Sequence, residues 1–184
     1  MAKSLTIFTE TFPHGKGETF LNGELDYLTK EYDEVILVPM GLGNIKPIWH
    51  KGAKSNIKGV EIRLKTLLKS HWRLAFSILK TEWKLSGNRI YLKRPLYFLK
   101  MLYYAFNNSY TLNRILPKET ESYSYWYSNW TLSIALLKQL FRPEAKWITR
   151  THGFDIDVQQ IECGYYPFRK WSNMQLNKII CISK

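Results

Sequence analysis

The 184-residue chain has few cysteines. Cys163 and Cys181 form neither a CxxC pair nor a Cys/His cluster of metal-ligand spacing. That leaves no basis for a zinc ribbon or a disulfide framework. The two read as reduced thiols of a cytosolic protein, or as one half-buried and one buried side chain. No apolar run reaches the roughly 18 residues that a membrane-spanning helix needs. Met1-Ala2-Lys3-Ser4 leads straight into a strand-like run, with no charged segment and long apolar core behind it, so no secretory signal is read. Asn107-Asn108-Ser109 and Asn129-Trp130-Thr131 fit the glycosylation triplet and, without export, read as chance. Acidic residues are also scarce, fifteen against 27 Lys and Arg, for a formal charge of +12. A hydrophobic fraction of 45% with 15% aromatics excludes a disordered chain. The length suits one domain with a substantial core.

The positive charge is concentrated. Residues 51–100 hold thirteen Lys and Arg against Glu61 and Glu82. Such a block suits an anionic partner: nucleic acid, acidic lipid or a phosphorylated ligand. The alternative is a solubilising surface, although such surfaces usually mix signs.

Leu5–Phe8 is a short apolar run of the buried parallel-strand type. Pro13, Gly15 and Gly17 then force a loop. From Glu18 to Lys30 the pattern is helical, with Phe20, Leu21, Leu25 and Leu28 on one face, acids early and Lys30 late. A glycine loop (Gly15, Lys16, Gly17) entering a helix start offers backbone N–H groups to a phosphate, or is a plain connection. Glu34–Pro39 is a second buried strand and closes a βαβ unit. Met40–Ile45 reads as a turn, and Val60–Leu64 alternates as a third strand.

The basic block reads as helical. Trp72, Phe76, Leu79 and Trp83 make one narrow stripe, with Lys69, Arg73, Lys80 and Lys84 beside it. Gly87-Asn88 breaks this helix. Another starts near Pro95 and runs through Phe106, apolar almost all round, so it is buried or lies on something apolar. Basic residues beside Trp and Tyr suit the interface of an anionic bilayer, where each Lys or Arg adds about 1 kcal/mol. A helix pair packed on the sheet with a basic outer face is the other reading.

Ser122–Trp126 is a strand. A helix from about Thr131 to Phe141 follows, capped by Asn129, with Leu132, Ala135, Leu136 and Leu140 inward. Pro143 ends it. Trp147–Thr149 is a strand leading into Arg150, His152, Gly153 and Asp155, either an ordinary polar turn or the rim of a ligand crevice. Val158–Arg169 is loop-like, and Lys178–Ile182 is a last buried strand. Alternation of β and α predicts an α/β fold with a doubly wound parallel sheet, Rossmann-like. The loops at His14–Gly17, Tyr127–Trp130 and Arg150–Asp155 would then share the carboxyl edge.

Phe12-Pro13, Glu18-Thr19-Phe20, Glu24 and the Val-Ile-Leu-Val-Pro strand resemble the opening of GT-B glycosyltransferases of family 4. Arg150-Thr-His152-Gly153-Phe-Asp155 is similar to that family's Arg-x-His-Gly-x-Asp loop. Pro167-Phe168-Arg169 and Lys178–Ser183 continue the same order, whereas Ser55–Asn113 departs from it. The resemblance implies the N-terminal, acceptor-binding half of a two-domain enzyme, residues 1–184, with a basic aromatic helical segment at about 66–112. The C-terminal donor-binding half, with its Glu-x₇-Glu motif, lies outside this chain, so the chain alone is expected to be inactive. It also implies a retaining transfer of sugar from a nucleotide sugar to a glycan or lipid-linked acceptor in surface polysaccharide or lipopolysaccharide synthesis, with no cofactor and no metal. By carry-over His152 is catalytic, beside the donor sugar, and Gly15, Lys16 and Gly17 lie near the diphosphate or acceptor. Arg150, Asp155, Arg169 and Glu18 shape the acceptor side. Each has a structural alternative: an Arg150–Asp155 ion pair, a structural Arg169, helix capping by Glu18.

The block Lys69, Trp72, Arg73, Lys80, Trp83 and Lys84 is assigned to an anionic membrane, which places the protein in the cytoplasm, peripheral on the inner face of the cell membrane. The competing classes are a nucleic-acid-binding module, for which no RNA- or DNA-binding motif is present, and a non-catalytic membrane-surface protein.

Overall fold

The computed structural model describes residues 3–13, 17–40, 53–54, 67–86, 95–127, 130–156 and 166–181. In chain order they form β1 (Ser4–Thr9), α1 (Leu21–Glu31), β2 (Glu34–Pro39), β3 (Ala53–Lys54), α2 (Leu67–Ser86), α3 (Pro95–Ile115), β4 (Thr120–Ser124), α4 (Trp130–Phe141), β5 (Trp147–Thr151), α5 (Gly153–Ile156), α6 (Arg169–Asn173) and β6 (Lys178–Cys181). The strands run parallel in the order β3-β2-β1-β4-β5-β6. This is the expected α/β architecture with a parallel sheet, and its strand order is compatible with a Rossmann-like fold.

Alternation along the strands divides the core in two. Leu5, Ile7, Val35, Leu37 and Tyr125 face α1, where they meet Leu21 and Leu25. Phe8, Ile36, Val38 and Trp147 face the opposite way, toward buried residues of α2, α3, α4 and α6. All six residues of β1 are buried, as a central strand covered on both faces requires. β4 and β5 carry small hydroxyl side chains in the second layer. Thr6 pairs with Thr120 at 2.9 Å, and Ser124 with Thr149 at 2.6 Å. These hydroxyls satisfy one another, so close helix packing there leaves none of the four without a partner.

Several boundaries differ from the sequence expectation. α1 begins at Leu21, and Phe20 is 47% exposed rather than inward, because it belongs to the preceding turn. The third strand is Ala53–Lys54; Val60–Leu64 lies outside the described residues, as do Asn129, Gly87 and Asn88. β4 starts at Thr120 and stops at Ser124, which puts Tyr125 and Trp126 past the strand end. α3 continues to Ile115, well beyond Phe106. The sequence predicts a buried strand at Lys178–Ile182, but β6 spans Lys178–Cys181 and every one of its residues is exposed. Among the described residues it is an edge strand, paired only with β5. Cys181 is accordingly an exposed free thiol. Among the described residues, no helix is long and apolar enough to cross a membrane.

Candidate functional site

The chain moves from β1 to β2 in one direction along the sheet and from β4 to β5 in the other. The crevice opens where the order reverses, outside the carboxyl ends of β1 and β4. Its floor is tied by backbone and indole donors. The Tyr125 amide donates to Phe8 O at 2.9 Å, the Met40 amide to Thr9 O at 3.0 Å, and Trp130 Nε1 to Thr9 O at 2.9 Å.

Glu18 organises the first loop. Its carboxylate is 2% exposed and accepts from the amides of Glu10 (3.1 Å), Thr11 (2.8 Å) and Phe12 (2.7 Å), and from Trp126 Nε1 at 2.5 Å. These three amides precede the glycine loop, and the anion they hold is the chain's own side chain. Glu18 does not cap α1 through its side chain; its backbone carbonyl accepts from the Leu21 amide at 3.0 Å. Gly15 and Lys16 lie outside the described residues. At Gly17 a Cβ would meet nothing within 4 Å, so the glycine is not required there for space.

His152 follows β5 directly and sits in a ring of aromatics. Its centroid is 4.2 Å from that of Trp126, 5.4 Å from Tyr125 and 6.4 Å from Phe20. Burial pushes its pKa below the ordinary value; Asp155 pulls it upward and Arg150 downward, and the Tyr125 backbone hydrogen-bonds the ring. A half-buried imidazole held neutral at pH 7 can donate from one ring nitrogen and accept at the other.

The Arg150–Asp155 ion pair is not formed. Arg150 is ion-paired with Glu24 of α1, which lies on the same face of the sheet, and its guanidinium is 5.2 Å from the Tyr125 ring centroid. Asp155 turns the other way. Its Oδ2 accepts from the His152 amide at 3.0 Å and the Tyr127 amide at 3.4 Å, joining the ends of β5 and β4. Desolvation raises its pKa while those amides lower it.

Arg169 donates to Asp155 O at 2.6 Å and Tyr127 O at 2.9 Å. It lies between two rings, 3.4 Å from the Tyr166 centroid and 4.0 Å from Tyr127. Burial lowers its pKa, and the tyrosines offset this. Glu18, Arg150, His152, Asp155 and Arg169 therefore form one wall, in which Glu18 and Asp155 serve as internal staples.

The basic segment is different. Trp72, Phe76 and Trp83 are 58%, 63% and 47% exposed on α2, with Arg73, Lys80 and Lys84 exposed beside them. The aromatic stripe therefore faces outward, while Ala75, Ile78 and Glu82 face the core. Lys69 lies in α2, and its side chain is outside the described residues. Sequence reasoning placed Tyr127 on a rim loop without a role and missed Trp126 and Tyr166 as site residues. The run Tyr123–Tyr127 at a strand end was the available signal. It also missed Arg142, which donates to the carbonyls of Asn113 (3.1 Å), Leu116 (2.9 Å) and Pro117 (2.5 Å) and so caps α3. Among the described residues no cluster of His, Cys, Asp and Glu could hold a metal. The chain matches no family model and no curated protein.

Proposed function

We propose that the chain is the acceptor-binding half of a retaining glycosyltransferase of GT-B type, which receives sugar from a nucleotide sugar held by a partner donor domain. The observation that carries this reading is the placement of His152: neutral, aromatic-walled, at the carboxyl edge of β5 and beside the sheet's switch point. The order of motifs around it resembles glycosyltransferase family 4.

In this reading His152 hydrogen-bonds a hydroxyl of the donor sugar, and the rings of Phe20 and Trp126 give the sugar an apolar wall. Arg150, ion-paired with Glu24, and Arg169, bound to the carbonyls of Asp155 and Tyr127, fix the shape of this wall rather than giving it a net positive charge. No cofactor is required, and the nucleotide sugar is a substrate. The exposed aromatic and basic stripe of α2 holds the enzyme on an anionic membrane, cytoplasmic side, where a surface polysaccharide or lipopolysaccharide precursor is built.

The test is transfer from a labelled α-linked nucleotide sugar by the enzyme containing this chain, with the product read by NMR. The expected product is α-linked and forms equally well with a chelator present. A β-linked product, or no transfer from any nucleotide sugar, overturns the reading. The exposed α2 stripe also supports a second reading, a non-catalytic membrane-surface module, which would bind vesicles and transfer nothing. Binding to single-stranded RNA in preference to vesicles would favour a nucleic-acid module instead.

A further inference from the structure

A cavity of about 410 Å³ opens between α3 and α4, beside Met40 at the end of β2. Its volume is in the range of small-molecule sites. The His152 wall lies elsewhere, on the α1 face of the sheet and past β5. Charge, ring content and buried polar groups together restrict what the cavity can hold.

Among the described residues, Lys100 is the one charged side chain of the lining, which includes no carboxylate. Its ammonium pairs with no described acid and stands 5.8 Å from the Tyr104 ring centroid. The cavity therefore favours an anion. Tyr97 and Tyr104 lie on either side of Lys100 along α3, both exposed, and Met40 and Met101 add thioethers. Ring faces with polarizable sulfurs suit a planar aromatic group. At the buried end Asn108 Nδ2 donates to Ser133 Oγ at 3.3 Å, and Ser133 is 1% exposed. The amide has a second N–H and a carbonyl oxygen to offer, and the hydroxyl has its own proton. Such a pair matches the edge of a ring that carries donors and acceptors. Lys100 and Asn108 are eight residues apart on one helix, about 12 Å along its axis at 1.5 Å per residue. A single-ring acid is short for that span; a base joined to its phosphate through a sugar is not.

We infer that this cavity is a mononucleotide site. The phosphate sits at Lys100, with the Tyr97 hydroxyl one helical turn away to donate to it. The base lies against the Tyr104 ring and the two thioethers, and its edge meets Asn108 and Ser133. Inorganic phosphate would leave the rings and the buried polar pair without a role, and an uncharged nucleoside would leave Lys100 without one. The inference stands apart from the transferase reading, in which the donor nucleotide is held by a partner domain. A mononucleotide in this cavity does not meet His152, so it is an effector that is bound and released unchanged rather than a reactant.

The experiment is calorimetric titration of the whole chain with AMP and with UMP, and with adenosine, uridine and inorganic phosphate as the separated halves. The expected result is one equivalent of at least one mononucleotide bound with a Kd of roughly 0.1 mM, and its halves bound at least about tenfold more weakly. A chain of charge +12 attracts any anion, so a second lysine serves as control. Lys30 stands 5.6 Å from the Tyr27 ring centroid on α1, a similar lysine–tyrosine pair that lines no part of this cavity. Lys100→Gln should weaken nucleotide binding roughly tenfold, whereas Lys30→Gln should change it by less than about twofold, as expected of a distant, screened charge. Asn108→Leu should also weaken binding, and it supplies the test if circular dichroism shows that Lys100→Gln disturbs α3. No binding of either mononucleotide at millimolar concentration overturns the inference. So does inorganic phosphate that binds as tightly as the nucleotide, an equal loss in Lys100→Gln and Lys30→Gln, or binding that survives both Lys100→Gln and Asn108→Leu.

Discussion

The wall at the ends of β4 and β5 and the outer face of α2 both carry charged and aromatic residues, but they use them in opposite ways. At the wall, Glu18 and Asp155 are buried and occupied with backbone amides, while Arg169 holds two carbonyls. On α2, Arg73, Lys80 and Lys84 are exposed next to exposed Trp72, Phe76 and Trp83. A charge directed at backbone groups within the fold sets geometry; a charge held in solvent beside an exposed ring is left available to something outside. The wall therefore reads as a preorganised surface against which His152 is positioned, and α2 as the docking face we propose.

The sharpest way to break this contrast is at Glu18. Glu18→Ala leaves three loop amides without their carboxylate, and we expect a loss of roughly 3–5 kcal/mol in urea unfolding, from unsatisfied buried donors. A loss below about 0.5 kcal/mol, the range of ordinary surface substitutions, would mean that the loop does not depend on it. The complementary change on α2 is Arg73→Gln with Lys80→Gln and Lys84→Gln. At about 1 kcal/mol for each cation, binding to anionic vesicles should weaken roughly hundredfold. The unfolding midpoint should hardly move, because exposed charges contribute little to stability. Unchanged vesicle binding would place the docking face elsewhere.

A smaller effect is expected at Arg142, where Arg142→Met should cost about 2 kcal/mol by exposing the last carbonyls of α3. The smallest concerns pH. The His152 pKa is lowered by burial, so the unfolded chain binds the proton more tightly than the folded one. Its contribution to stability is complete above the unfolded value of about 6.5 and is lost as pH falls through the folded pKa. His152→Gln should flatten the rise of stability with pH below about 6.5; an unchanged slope would assign that slope to other groups.

Strands β1 and β2 were legible because apolar runs of that length between turn residues have few other fates. The His152 turn was legible because a strand, an arginine and a glycine adjoin it locally. The partners were not. Arg150 meets Glu24 across 126 positions, and Arg142 caps a helix that ends more than twenty residues earlier. Those pairings exist only once the sheet has brought the elements together. The Glu18 staple was hidden differently. Its amide donors lie only six to eight residues upstream, but a backbone N–H carries no residue code. The exposure of β6 and of Phe20 follows from edge position and from a helix that starts three residues later than the pattern suggests, which periodicity does not report.

The most direct measurement compares sugar transfer by the wild-type enzyme containing this chain with transfer by its His152→Ala variant, alongside the unfolding midpoint of each. Loss of a positioned group that acts in the transition state predicts a fall in kcat of about 10²–10³-fold. The two midpoints should agree to within roughly 1 kcal/mol, since His152 is only half-buried. Near-normal turnover in a folded His152→Ala enzyme would contradict the account.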